Sequence, residues 1–485
     1  IYSLDYGKII IDQFGYDEFI FNKISFKFSE DKKIDFVFDY TRFKDVPELT
    51  ANVEYKYIEE NYAYYVSQKG NKGNFSVCIS FTGNTKKMVK KTNSLFKVVK
   101  NEYESLEVPV SCDTDLKKAL FTSSMFTALE NYKVEGEYKA FTAGVNYLAP
   151  FRTYFRDSYW TTLCLYKNNI DLVKQQILTL AKGINDDGEC PSAVKSDYTG
   201  FWGGHYDSPC FFVMMVSDYV KYSNNKEFLK EVINDKFTIE ELCKKVLDRL
   251  LNNFTDKTHL LVKKGNYNRL DWADAVNRQG YVTYDEALYY RSLLCLGKLL
   301  GGNNKYLTEA KEVKKSINKL LWDDKRGYYV NYIDGSFVET NLSIDTILTV
   351  LFNIVPNDKK SVLVDNFEKL LYSKNHKELK DFGVMTVYPT YKNATSVLSI
   401  SGQAYRYHNG ANWPYWAGMF AYMLMREGRN YEYALTSWFT FGINNGCFTP
   451  LEYLSPYYKQ GSNLQAWSAT SAFALQYCNE DFFLI

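Results

Sequence analysis

Asp271 and Asp274 flank Trp272 in a stretch, residues 268–290, that begins without helical periodicity and ends with it. Asn266, Asn268, Asn277 and Gly280 interrupt the first part, whereas Ala287, Leu288, Leu293, Leu294 and Leu296 form an apolar stripe in the second. A carboxyl group beside an indole, in a loop that feeds a helix, suits a general acid, because burial against an aromatic surface disfavours the charged form and raises the pKa. An aspartate so placed also caps turns and helices, and these residues alone do not decide between Asp271 and Asp274. A general acid of this kind works with a second carboxyl group that stays ionised and serves as base. Glu452 is the candidate: Pro450 and Pro456 bracket it and keep its segment out of a helix. The two positions are far apart in the chain, so only a closed fold brings them together.

The elements that must do this are mainly helical. Apolar stripes at three-to-four spacing predict twelve helices, near residues 113–134, 158–168, 169–184, 208–223, 236–254, 284–301, 304–322, 343–355, 359–373, 411–428, 430–445 and 463–478. Many are consecutive pairs joined by short loops, and six pairs suggest an (α/α)6 barrel over residues 113–485. Residues 1–112 read as an antiparallel β-sandwich domain. Its runs are short and β-rich: 8–12, 18–22, 24–29, 34–39, 62–66, 75–81 and 95–99.

The unusual residues gather in loops between the helices, at 151–160, 185–192, 200–207, 405–414 and 445–456. Loops on a rigid scaffold commonly carry function. Most of these mix carboxylate, Arg or amide with Trp or Tyr. That mixture suits a polyhydroxylated ligand, whose hydroxyls need polar partners and whose ring faces need aromatics. Arg156 and Asp157 form a fork for adjacent hydroxyls, and Trp202, Trp272, Arg278, His408, Asn409 and Trp413 join them as binding candidates.

Composition narrows the partners. The 485 residues carry 58 basic and 57 acidic side chains, a net charge of +1, so nothing points to nucleic acid or an anionic membrane surface. No run approaches the length of a membrane span. The nine cysteines include no Cys-x-x-Cys pair and no zinc-ligand spacing, which reads as free thiols in a reducing compartment. Ile1 opens the chain with no apolar or basic leader, so a cytoplasmic enzyme is expected. Gly203-Gly204 lacks the Lys-Ser/Thr of a phosphate loop, and no Gly-x-Ser-x-Gly elbow, dinucleotide fingerprint or His-Glu-x-x-His occurs. No metal or cofactor is expected.

Four short motifs stand in a recognisable order: Phe155-Arg-Asp-Ser-Tyr-Trp160; Trp272-Ala-Asp-Ala275 with Arg278-x-Gly280 and Ala287-Leu-Tyr-Tyr290; Tyr407-His-Asn-Gly-Ala-Asn-Trp-Pro414; and Gln465-Ala-Trp-Ser468. Together they resemble the amylo-α-1,6-glucosidase module of glycogen-debranching-type enzymes, within the (α/α)6-barrel glycosidase clan of trehalases and processing α-glucosidases. The resemblance implies an inverting α-glucosidic hydrolase with Asp274 as general acid and Glu452 as general base. It implies carboxyl groups roughly 6.5–9.5 Å apart, leaving room for water. It also places Arg156, Asp157, His408, Trp413, Gln465 and Trp467 near the non-reducing glucose, with Asp271 contacting hydroxyls or supporting Asp274. Two departures affect the substrate: Tyr453-Leu-Ser-Pro456 replaces the acidic run that usually follows the base, and Arg-Asp-Ser-Tyr-Trp replaces Arg-Asp-Thr-Phe-Ile. The alternatives are a trehalase- or invertase-like hydrolase of a small glucoside, a sugar epimerase using histidines, and a non-catalytic glycan-binding protein.

Overall fold

The computed structural model describes the chain apart from residues 1, 5–6, 17–18, 41–45, 145–146, 148–149, 265–270, 393–401, 448 and 485. Asn266 and Asn268, expected to break the helical pattern, lie outside the described residues. The chain divides into two compact units, Ile1–Glu107 and Val108–Ile485.

Among its described residues the first unit is built on one antiparallel sheet of six strands: β1 (Tyr2–Leu4), β2 (Gly7–Tyr16), β3 (Phe19–Asp39), β4 (Glu48–Ala51), β5 (Lys56–Ile58) and β6 (Ala63–Ser80). The short runs expected between residues 18 and 39 are a single strand of 21 residues. Its ladder with β6 shifts register between Lys27 and Lys32, and the sheet folds over there. Phe36, from one half of the ladder, meets Phe75, from the other, edge to face at 5.0 Å. Ile24, Phe26, Val66, Phe75 and Val77 form the core enclosed by the fold. The sandwich layers are thus two halves of one continuous sheet. The run 95–99, expected as a strand, lies within helix α1 (Thr92–Glu104). Leu95, Phe96 and Val99 recur at helical spacing and cover Phe14, Phe21 and Cys78 on the opposite sheet face.

The second unit contains, among the described residues, twelve α-helices. The even-numbered ones are α2 (Asp115–Glu130), α4 (Ile170–Lys182), α6 (Ile239–Phe254), α8 (Lys305–Leu320), α10 (Asn357–Leu371) and α12 (Glu432–Asn444). They bury one stripe and expose the other, as in α6, where Leu242, Cys243, Val246, Leu247 and Leu250 face inward. Local chemistry starts them: Thr238 and Glu241 form a reciprocal capping box on α6, and Asn304 caps α8. The odd-numbered helices are buried nearly all round: α3 (Phe155–Thr162), α5 (Asp207–Ser223), α7 (Thr283–Leu300), α9 (344–351), α11 (Pro414–Arg426) and α13 (466–476). Each odd helix packs on the next, and α13 returns to α3, closing an (α/α)6 barrel. Trp416 of α11 sits at its centre, with ring centroids 5.7 Å from Trp160 on α3, 6.2 Å from Tyr284 on α7 and 5.5 Å from Trp272 in the α6–α7 loop. The loops that enter the odd helices share one end of the barrel with Trp272.

Candidate active site

A cavity of about 270 Å³ opens among these loops, and Asp274, Glu452, Arg156, Asp157, Trp202, Trp272, His408, Trp413, Gln465 and Trp467 all line it. Asp271, Arg278 and Asn409 do not.

Asp271 and Asp274 have opposite surroundings although only two residues separate them. Asp271 is buried and accepts the Ala273 backbone N–H at 2.7 Å, so it does cap a turn. Arg278 grips it through Nε at 3.0 Å and Nη2 at 2.7 Å, and Lys263 adds a second cation. Burial works against the charge, but the two cations hold the Asp271 carboxyl well below the usual carboxylate range. Arg278 also donates to Asp345 on α9 at 2.6 Å, as does the Trp272 indole N–H at 2.6 Å. This buried network fixes the turn, and the next carboxyl group, Asp274, projects into the cavity with 22% of its side chain exposed. Burial pushes Asp274 up to about 7, opposed chiefly by Arg156, whose Nη1 is 4.0 Å from Oδ1. Asp157, in the first turn of α3, is likewise pushed up to about 7 by burial. The cavity thus brings together three carboxyl groups that repel one another.

Arg156 is held from behind. Its Nε donates to Asp207 at 2.7 Å and its Nη2 to His205 Nδ1 at 3.0 Å, while the Tyr284 hydroxyl donates to the same Asp207 oxygen at 2.9 Å. Burial and the neighbouring Arg156 press His205 down to about 3. The His408 Nδ1 accepts the Ala275 backbone N–H at 3.3 Å, which places the ring proton on Nε2. That atom is buried and has no protein partner. The His408 ring stacks on Trp413 at 4.6 Å and meets Trp272 edge to face at 5.2 Å. Trp467 stacks on Tyr415 at 4.5 Å, and its indole N–H is also buried without a partner.

Glu452 is on an extended segment. Leu451 pairs with Asn463, and Leu454 with Asn412 just before α11. The Ser462 backbone N–H and hydroxyl lie 3.3 and 3.4 Å from Glu452 Oε2. Burial raises this carboxyl group, and both Ser462 hydrogen bonds oppose the rise. Gly461 is required beside it, since a Cβ there would be 2.7 Å from both the Cβ and Oε2 of Glu452. Gln465, two residues beyond Asn463, bridges to Gly144 and receives the Ser462 hydroxyl at 3.2 Å. Trp202 stands at the lip, 44% exposed, with a left-handed φ of 58° on a glycine-rich strand, Gly200–Gly204. Non-glycine residues rarely adopt that conformation unless the surroundings impose it. Asn409 instead binds the Tyr391 backbone, accepting its N–H at 2.7 Å.

The cavity also uses Tyr147, Arg152, Tyr154, Ser192, His205 and Tyr407, which were not singled out as binding residues. Arg152, Tyr154, His205 and Tyr407 fall inside the loops already marked by composition. Ser192 closes the marked loop 185–192, and Tyr147 alone of these carries no comparable signal. Among the described residues no group of three or more His, Cys, Asp or Glu could hold a metal ion. The surface can present ring faces, hydrogen-bond donors and two differently held carboxyl groups to an uncharged hydroxylated ligand.

The bacterial glucoamylase complexed with acarbose has a similar structure, with a TM-score of 0.62 at 13% identity over 97% of this chain and 81% of that one. The rhamnosidase from Klebsiella oxytoca with rhamnose bound gives 0.54 at 13% identity over 93% and 86%. The GH63 mannosylglycerate hydrolase from Thermus thermophilus in complex with glucose gives 0.54 at 13% over 74% and 100%. At such identity the likeness shows the fold, a barrel these glycosidases share. Among curated proteins none matches the chain. No helix among the described residues is long and apolar enough to cross a membrane. The family described as amylo-alpha-1,6-glucosidase matches residues 122–473, well over half of the chain and all of the loops that line the cavity, so this chain is a glycoside hydrolase belonging to that family.

Proposed function

We propose that the protein removes glucose from the non-reducing end of an α-glucan or oligosaccharide with inversion at the anomeric carbon, acting as an amylo-α-1,6-glucosidase on branched substrate. Residues 113–485 are the proposed catalytic domain. The observation that carries this reading is the contrast between two carboxyl groups lining one cavity. Asp274, raised to about 7, holds a proton near neutrality. Glu452 is raised too, but its Ser462 donors favour the charged form. Asp274 gives its proton to the glycosidic oxygen as the C–O bond breaks. Glu452 takes a proton from water as the water oxygen bonds to the anomeric carbon from the opposite face. Solvent then restores both protonation states.

Asp157, Arg156, Trp202 and the unpartnered N–H groups of His408 and Trp467 would meet the sugar hydroxyls, and Trp413 would pack on the ring. Asp271, Arg278 and Asn409 would act behind the surface as supports. The histidines speak against an epimerase: the Nδ1 of both His205 and His408 already accepts a hydrogen bond, and burial lowers both pKa values. The nine free cysteines, seven of them buried, suit a reducing, cytoplasmic setting.

The test is a panel of isomaltose, panose, maltose, trehalose, sucrose and limit dextrin, with NMR of the anomer released. β-Glucose appearing first from an α-1,6-linked substrate is expected. α-Glucose appearing first overturns inversion, and preference for trehalose or sucrose overturns the debranching assignment.

A further inference from the structure

The loop that carries Asp274 has a second cavity along it. Val276, Asn277 and Gln279 line a cleft of about 480 Å³ that Asp274 does not enter. Its far wall is a hairpin, Tyr332–Asp334 and Phe337–Glu339, turned through two residues and paired to Tyr281–Val282 at the end of the same loop. The hairpin leaves Phe337 52% exposed and its ring 5.7 Å from that of Tyr332. Phe337 and its neighbour Val338, 43% exposed, form an apolar edge beside the half-buried Tyr332, and such an edge is unfavourable unless something covers it. Around it stand Asn277, Asp334, Glu339 and Asn341, with Lys392 the one lysine or arginine among the described residues of the lining. Amides and carboxylates bind vicinal hydroxyls, aromatic rings cover the apolar faces of sugars, and so little positive charge does not suit a phosphate.

We propose that this cleft is a second saccharide-binding site, which holds an internal stretch of an α-glucan while a chain end of the same polymer occupies the catalytic cavity. The proposal rests on the glucan reading above. Tethering one arm of a branched polymer raises the local concentration of its other ends. The benefit therefore falls on large substrates and not on disaccharides.

Cyclomaltoheptaose separates the two sites, because it has no chain end for the catalytic cavity. Isothermal titration of wild type, Phe337→Ala and Asp274→Asn with this ring, together with kcat/KM on isomaltose and on limit dextrin, forms the test. Saturable binding by wild type and Asp274→Asn, weakened about tenfold or more in Phe337→Ala, is expected from loss of a stacking face. In Phe337→Ala, kcat/KM should fall about tenfold on limit dextrin and stay within about twofold on isomaltose. Asn277→Ala on the opposite wall should reproduce the split if Phe337→Ala misfolds. No binding by wild type, equal binding by the wall variants, or equal losses on both substrates overturns the cleft. Binding without hydrolysis of any α-glucoside supports the cleft and overturns the proposed reaction.

Discussion

Arg156 Nη1 stands 4.0 Å from Asp274 Oδ1, while the Nε of the same guanidinium is 2.7 Å from the buried Asp207. The cation is anchored by a carboxylate that cannot leave and is shared with one that faces the cavity. Its Nη2 is used by His205. Arg156 therefore pulls the Asp274 pKa down against the larger opposing effect of burial.

Replacing Arg156 with Gln removes that pull. The alkaline limb of kcat/KM should move to higher pH, because Asp274 then keeps its proton longer. Asp207 loses its cation, so stability should also fall, by about 3–5 kcal/mol. A pH–rate profile with an unmoved alkaline limb would show that Asp274 does not set it.

The two carboxyl groups should separate by leaving group. Asp274→Asn and Glu452→Gln are each expected to lower kcat on an α-1,6-linked disaccharide by roughly 10³-fold or more, given the 10²–10⁴ typical of one acid–base group plus the lost charge. On α-glucosyl fluoride, whose leaving group is already a weak base, Asp274→Asn should recover most of its rate and Glu452→Gln should not. Equal losses on both substrates would remove the distinction between acid and base.

Stability should depend on pH through Asp157 and Asp274. Both are raised from 3.8 to about 7, so the folded state favours the protonated form. Their contribution to stability is full below pH 3.8 and is lost as pH rises through about 7, by at most about 4 kcal/mol per group. Neither asparagine variant titrates there. Asp274→Asn and Asp157→Asn should match wild type in acid and exceed it in Tm at pH 8. A wild type whose Tm rises between pH 5 and 8 relative to both variants would reverse the sign.

What the residues disclosed follows from what each kind of pattern reports. The stripe Leu242, Val246, Leu250 is a helix wherever it lies, and all twelve predicted helices recur because burying such stripes is what builds the barrel. Leu95–Val99 reads as a strand yet folds as a helix, because a short apolar run fits either period and only the sheet face it covers decides. The polar run between Phe28 and Ile34 looked like a break between strands, yet it is where one long strand bends. At the site, the loops were marked by their aromatic and charged residues, but spacing along a loop does not say which way a side chain faces. Asp271 and Asp274 look alike in the chain. Lys263 and Arg278 claim Asp271, while Asp274 is left to the cavity. Asp345 gave no signal, and Asp207, though it ends the marked loop 200–207, gave none of its role, since each acts through partners far away in sequence.

Asp345 makes a positioning test. Its Oδ2 receives both the Trp272 indole N–H and Arg278 Nη1, each at 2.6 Å, and it lies outside the cavity lining. Asp345→Asn keeps the shape but leaves Arg278 short of a charge, so Tm should fall. If the network aims Asp274, kcat should drop about tenfold or more with KM changed little, since small displacements of a catalytic group are costly. A purely structural role predicts lower Tm with kcat unchanged below the transition.

Gly461 gives the sharpest geometric prediction. A methyl group there would press on the Cβ and Oε2 of Glu452 at 2.7 Å and on Tyr453 at 2.7 Å. Its backbone φ does not lie in the left-handed region, so Gly461→Ala introduces no conformational strain and acts only by contact. The segment is pinned on both sides: Glu452 N–H donates to Ser462 at 2.9 Å, and Gly461 N–H donates to Tyr453 at 3.0 Å. The side chain of Glu452 is therefore what must move, carrying Oε2 away from its Ser462 donors. Activity should fall about 10²-fold in kcat, the size expected for a displacement near 1 Å. The acid limb of the pH profile should shift upward as those donors stop favouring the charged form. Thermal stability should change far less than activity. Normal kcat in Gly461→Ala, with an unshifted acid limb, would mean that the placement of Glu452 is not critical to turnover, and the assignment of Glu452 as the base would fail with it.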